Sequence, residues 1–215
     1  MRLEEIYRKY KIMPTLAEHQ LRVAAVARLI GEQLGLITDL KNITAACLLH
    51  DMGNILKFDL SKSKSVLNLD LDINYWQSVK AEYAKKYGSN EHHASMVIAK
   101  ELGANARVLE LIDCVGFMQA KANLKTSDTA KKICAYSDMR VGPFGVISLK
   151  ERFADLRRRY EAKKTAASAE SMRLKFEAAL SEIEKQIFYG RGIKPGDITE
   201  AAIGRFVVEL RSWNL

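Results

Sequence analysis

His50 and Asp51 stand side by side at the end of an apolar run, Ala45-Ala46-Cys47-Leu48-Leu49, and are followed by Met52-Gly53-Asn54. An imidazole nitrogen and a carboxylate oxygen are both good ligands for a divalent metal. On a helix, neighbouring side chains point about 100° apart. One ion therefore touches both only over the edge between them, and other elements must complete its shell. The chain holds four histidines: His19, His50, His92 and His93. His19 lies inside a strong helical pattern, Thr15 to Ala27, and Asp138 in a mostly apolar segment, Ile133 to Val141. Each has a simpler reading: a packed core histidine for His19, a buried hydrogen-bonded carboxylate for Asp138. For Asp51 the competing roles are a helix cap or a salt bridge to Arg22.

The order His, His-Asp, Asp, with a histidine pair between the doublet and the last aspartate, resembles the HD-domain superfamily of metal-dependent phosphohydrolases. The resemblance covers roughly residues 15–160, and the segment 137–160 also looks like a bacterial-type subset. It implies His19, His50, Asp51 and Asp138 as ligands of one divalent metal. It further implies that at least one of His92 and His93 faces the site, either touching the phosphate or holding a second metal, with a capping or surface role for the other. Some relatives with two metals carry a later histidine where this chain has Cys114-Val115-Gly116-Phe117, so a complete two-metal cluster is not expected.

Two nitrogens and two carboxylates suit Mn, Fe, Co, Ni or Zn better than Mg, because imidazole favours transition metals. A bound metal lowers the pKa of water towards about 7 and polarises a phosphoryl oxygen. Asp51 is then read as a catalytic ligand. A phosphate ester also needs a cation. Arg22, three residues after His19 on the same helix face, is the first candidate for catalysis and substrate binding. Lys57, just beyond the doublet, is the second, and Arg140 ranks lower. The expected activity is hydrolysis of a phosphomonoester or phosphodiester, most readily of a small nucleotide. The alternatives are a non-catalytic metal- and nucleotide-binding regulator, or a basic nucleic-acid-binding protein.

The elements that must position these residues read as helices. The chain has 215 residues, 48% hydrophobic and 28% charged, with three prolines, so one ordinary globular all-α domain is expected. Its metal-binding core would span about 15–147 and a helical extension about 148–215. Helices are expected over 3–12; from Thr15, capped by a Thr15/Glu18 box, to Gly35; from Thr38 or Asp39 to Asp51; 74–87; 91–102; 105–123; from Ser127 or Asp128 through Asp138; from a Ser148/Glu151 box to 160; 166–188; and 199–213. No strand is expected. Residues 55–73 form a long connection that could act as a lid. Cys47, Cys114 and Cys134 fall in apolar patterns without knuckle spacing and read as reduced core thiols of a cytoplasmic protein. There is no signal-like N-terminus and no apolar run of about 20 residues, so no membrane partner is expected. The net charge of +8 is spread over several helices without interleaved aromatics, so nucleic acid is not the favoured partner.

Overall fold

Alanine-rich apolar stripes at helical spacing bring two helices to the centre of the protein, as its computed structural model, which describes residues 1–60, 72–161 and 167–215, shows. Helix accounts for 72% of the described residues, which meets the all-α expectation. Helix α1 spans Leu3–Lys9, α2 Pro14–Gln33 and α3 Leu40–Leu49, followed by a 3-10 turn at Asn54–Lys57. Val23, Ala24, Ala27 and Ile30 of α2 and Ile43, Ala46 and Cys47 of α3 are all fully buried. The short side chains let the two backbones approach closely, and burial of the larger ones contributes roughly 1.5–3 kcal/mol each.

Around this pair stand α4 (Ile73–Tyr87), α5 (Glu91–Glu101), α6 (Ala106–Asp113), α7 (Ala120–Lys125), α8 (Thr129–Met139), α9 (Leu149–Glu161), α10 (Ala167–Phe188) and α11 (Glu200–Arg211). Helix α8 packs against both α2 and α3. Arg107 of α6 ties those elements together at one end. Its Nη2 donates to Asp39 Oδ2 at 2.7 Å, before α3, and its Nη1 to Asp128 Oδ2 at 2.6 Å, before α8. One guanidinium thus joins the starts of the two helices that end in His50 and Asp138.

Helix α11 lies across α2. Helical spacing puts Glu200 and Arg211 on one flank of it and Arg205 and Glu209 on the other. The first flank meets the N-terminal half of α2, through Glu200–Arg22 and Arg211–Glu18, both 2.6 Å. The second meets the C-terminal half, through Glu209–Arg28 at 2.9 Å and Arg205–Glu32 at 3.5 Å. Exposed pairs like these are worth at most about 1 kcal/mol each, so they orient the helix. Buried Ile203, Phe206 and Leu210 hold it.

Four expectations need correction. The Thr15/Glu18 capping box does not form: Pro14 takes the first helical position, so Thr15 lies inside the helix and its buried hydroxyl has no partner. The helix expected to run to Asp51 stops at Leu49, with His50 as its cap. The helix expected over 105–123 breaks at Gly116, whose φ of 136° only glycine adopts readily. A two-stranded hairpin, Val141–Gly142 paired with Gly145–Val146, stands where only a break was expected. By contrast, the Ser148/Glu151 box forms: Ser148 N–H donates to Glu151 Oε2 at 2.7 Å and Glu151 N–H to Ser148 Oγ at 3.2 Å. The three cysteines are free and buried. Most of the 55–73 connection, and with it the lid expectation, lies outside the described residues. Among the described residues no helix is long and apolar enough to cross a membrane.

Candidate metal centre

The last turn of a helix leaves backbone carbonyls without intrahelical donors, and α3 uses one of them to aim His50 and the next to bind α1. Cys47 O accepts from His50 Nδ1–H at 2.8 Å. Leu48 O accepts from the hydroxyl of Tyr7, a buried α1 residue, at 2.8 Å. With Nδ1 carrying the proton, the lone pair of Nε2 faces inward. That atom is buried and has no hydrogen-bond partner. It lies 3.6 Å from Asp51 Oδ2 and 3.6 Å from Asp138 Oδ1. His19 Nε2 stands 3.1 Å from Asp138 Oδ1 and 3.7 Å from Asp51 Oδ2. The two imidazole rings are 5.6 Å apart. Donor atoms from His19, His50 and Asp51 all fall within 4.8 Å of one another.

These separations are those of atoms sharing one ion. Ligands at about 2.0–2.2 Å from a metal stand roughly 2.8–3.6 Å apart along the edges of an octahedron or tetrahedron. A lone pair facing two carboxylate oxygens is repulsive unless a cation sits among them. Without metal, a proton must serve. Burial alone would pull the His50 imidazole down, but the Asp51 charge and the Asp138 contact outweigh it and push its pKa up to about 9. Burial likewise opposes ionisation of Asp138, yet the hydrogen bond from His19 and the nearby His50 imidazole hold it well below the carboxylate range. The donor set and the orphaned nitrogen both fit a divalent transition metal.

The turn after the doublet is shaped around the centre. Asn54 Nδ2 donates to Asp51 Oδ2 at 2.7 Å. Gly53 has an ordinary φ of −93°, so it is required for space rather than conformation. A Cβ there would lie 2.3 Å from Glu91 O and 2.6 Å from Ala94 Cβ. Gly53 N–H donates to Ser95 Oγ at 2.9 Å. The first turn of α5, which carries His92 and His93, is therefore pressed against the His-Asp turn.

Neither of those histidines joins the cluster. His92 Nε2 pairs with Asp113 Oδ1 at 2.9 Å, and His93 is exposed, with its backbone N–H capped by Asn90 Oδ1 at 2.7 Å. Among the described residues, His19, His50 and Asp51 form the one grouping of three or more ligands, so no second metal cluster gathers around His92 and His93. Lys57 points from an exposed position to Glu91 Oε1, 3.3 Å away. Arg22 Nε donates to Glu200 Oε1 at 2.6 Å, so its partner is Glu200 rather than Asp51. Arg140, ranked low, is buried and occupied with backbone carbonyls and the Tyr136 hydroxyl.

The HD domain model matches residues 16–138, a span that starts three residues before His19 and ends on Asp138. The chain belongs to the HD-domain family. Its members are generally metal-dependent phosphohydrolases, and the His19/His50/Asp51 cluster is consistent with an HD metal site. No curated protein and no solved structure matches the chain. The matched segment leaves out α1, which supplies Tyr7, and everything after Asp138, including the helix that holds Arg22.

Sequence reasoning passed over Tyr7, Asn54, Ser95 and Glu200. Asn54 follows Asp51 by three residues, and that spacing could have drawn attention to it. The others act across the fold, and nothing local marks them.

Proposed function

We propose that this HD-domain protein hydrolyses small phosphate esters, nucleotides first among them, with one divalent metal held by His19, His50, Asp51 and Asp138. The observation that carries the reading is the buried, unpartnered Nε2 of His50 beside two carboxylate oxygens. An ion in that place, Mn, Fe, Co, Ni or Zn more readily than Mg, supplies a water of lowered pKa and polarises the phosphoryl oxygen. The chain's own groups do the rest. Asn54 holds the Asp51 carboxylate in register. The terminal nitrogens of Arg22 neutralise the phosphate, and Lys57 offers a second cation at the rim. His92 and His93, on the turn against Gly53, remain candidates for substrate contact. Direct attack by water is preferred to a covalent intermediate. Cys47, Cys114 and Cys134 are buried, and burial pushes the Cys114 thiol far above its usual range. A nucleic-acid surface has less support: Arg28, Arg107, Arg173 and Arg211 are engaged in ion pairs within the chain.

The test is a hydrolysis screen over phosphate esters with each of the metals, repeated in oxygen-18 water. Metal-dependent release is expected, with label in the phosphate after a single turnover. The Asp51→Ala variant should lose metal and turnover together. Full activity under chelation would overturn the mechanism. Silence across the panel with metal bound would favour a regulator that binds metal and nucleotide without turnover.

A further inference from the structure

The proposed reaction asks Arg22 to meet the phosphate, and the role inferred for its partner Glu200 rests on that reading. Arg22 is held from outside the matched segment. Glu200 is the first residue of α11, and its Oε1 accepts from Arg22 Nε at 2.6 Å. Its Oε2 accepts from the Val146 N–H of the hairpin at 2.9 Å. A Cβ on Gly145 would come within 3.0 Å of that same oxygen, so a glycine lets the carboxylate lie on the hairpin. The residues leading into α11 are fixed as well. Arg140, two residues after Asp138, donates to Ile198 O and to Pro195 O, each at 3.1 Å. Thr199 then caps the helix, its Oγ1 accepting from Ala202 N–H at 3.2 Å. Backbone anchors thus bracket Glu200 from the hairpin and from the turn before it.

The edge of the guanidinium that Glu200 grips decides what it does. A carboxylate on Nη1 with Nη2 would occupy the terminal fork that a phosphate can use. Glu200 takes Nε. Among the described residues Nη1 and Nη2 make no hydrogen bond; their ion-pair neighbour Glu18 is 3.8 Å from Nη1 and is itself held by Arg211 at 2.6 Å. We infer that Glu200 is a positioning residue. It pins the Nε edge of Arg22 so that the terminal nitrogens, one helical turn from His19, stay presented to a phosphate. The C-terminal helix thereby completes the substrate site of the HD domain.

The experiment uses the full chain loaded with manganese and reads inorganic phosphate affinity by calorimetry, with KM and kcat for any ester that is hydrolysed. In Glu200→Ala, phosphate binding should weaken roughly tenfold and KM rise with it, at unchanged metal content. Glu200→Gln keeps an oxygen for Nε and should restore most of the affinity. In an Arg22→Ala background, Glu200→Ala should cost nothing further. Should Glu200→Ala fail to fold, Arg22→Lys gives the same reading: it keeps the charge, has no edge to grip, and should lose a similar factor. Phosphate binding that is unchanged or tighter in Glu200→Ala, or in Arg22→Lys where that variant stands in, overturns the inference, as does a loss that persists without Arg22. If phosphate affinity follows this pattern while no ester is cleaved, the positioning role stands and the hydrolytic reading fails.

Discussion

His50 carries the physics of the site. In the metal-free protein its pKa of about 9 lies above the ordinary histidine value, so its protonated form stabilises the fold. That contribution is complete below about pH 6.5 and is lost as pH rises through about 9. The depressed Asp138 acts in the opposite sense, stabilising above the normal carboxylate range and failing in acid. The chelated protein should therefore lose on the order of 3 kcal/mol between pH 6.5 and 9.5, from a shift worth about 1.4 kcal/mol per unit. The metal-loaded protein should not, because the ion takes the proton's place. Metal affinity should rise about tenfold per pH unit below 9, with one proton released on binding. Denaturation with and without chelator, and calorimetry in buffers of different ionisation enthalpy, check both; a pH-independent affinity would remove His50 from the shell. The four residues gathered at the centre were legible because a histidine or aspartate on an apolar helix demands a partner. Glu200 was not, since 178 residues separate it from Arg22, and neither was Tyr7, whose acceptor is 41 residues away.

At the scale of elements, periodicity and caps marked most helices, and two lapses have physical causes. Apolar spacing ran on past the end of α6 at Asp113 and through Gly116, whose positive φ turns the chain. The hairpin after α8 closes locally through Ile147 N–H to Arg140 O at 2.8 Å, but its Val146 N–H depends on Glu200, far along the chain. The contact between α5 and the His-Asp turn yields a prediction. A methyl group at Gly53 meets a backbone carbonyl at 2.3 Å, which cannot give way as a side chain can. Gly53→Ala should destabilise the protein by about 1–3 kcal/mol and weaken metal binding, because relief moves either α5 or the turn holding Asp51 and Asn54. Gly192→Ala, with open space around it, is the control. Equal melting temperatures and equal metal content in both variants would show that the close approach does not constrain the centre.

For the whole molecule, the division into a core of about 15–147 and an extension of about 148–215 describes the sequence better than the energetics. The extension reaches the core at several depths. Ile203, Phe206 and Leu210 are buried as α11 crosses α2, and α10 packs on α7 and α8. Leu3 N–H donates to Trp213 O at 2.9 Å. Arg140 places a full charge in the interior, matched by the carbonyls of Ile147, Pro195 and Ile198 and by Tyr136, whose hydroxyl donates to Glu184 Oε2 at 2.6 Å. Without the extension that guanidinium loses the Pro195 and Ile198 acceptors and the faces of α2 and α8 become exposed, so the two parts should fold as one unit. Circular dichroism and the fluorescence of Trp76 and Trp213 should report one coincident transition for the full chain. A fragment ending at residue 147 should keep helix but lose cooperative unfolding and metal retention. Arg140→Met, which strands those buried acceptors, should cost about 3–5 kcal/mol and shift the whole transition rather than a part of it. Two resolved transitions, or a soluble 1–147 fragment that binds metal as the full chain does, would instead make the extension an accessory to an independent core.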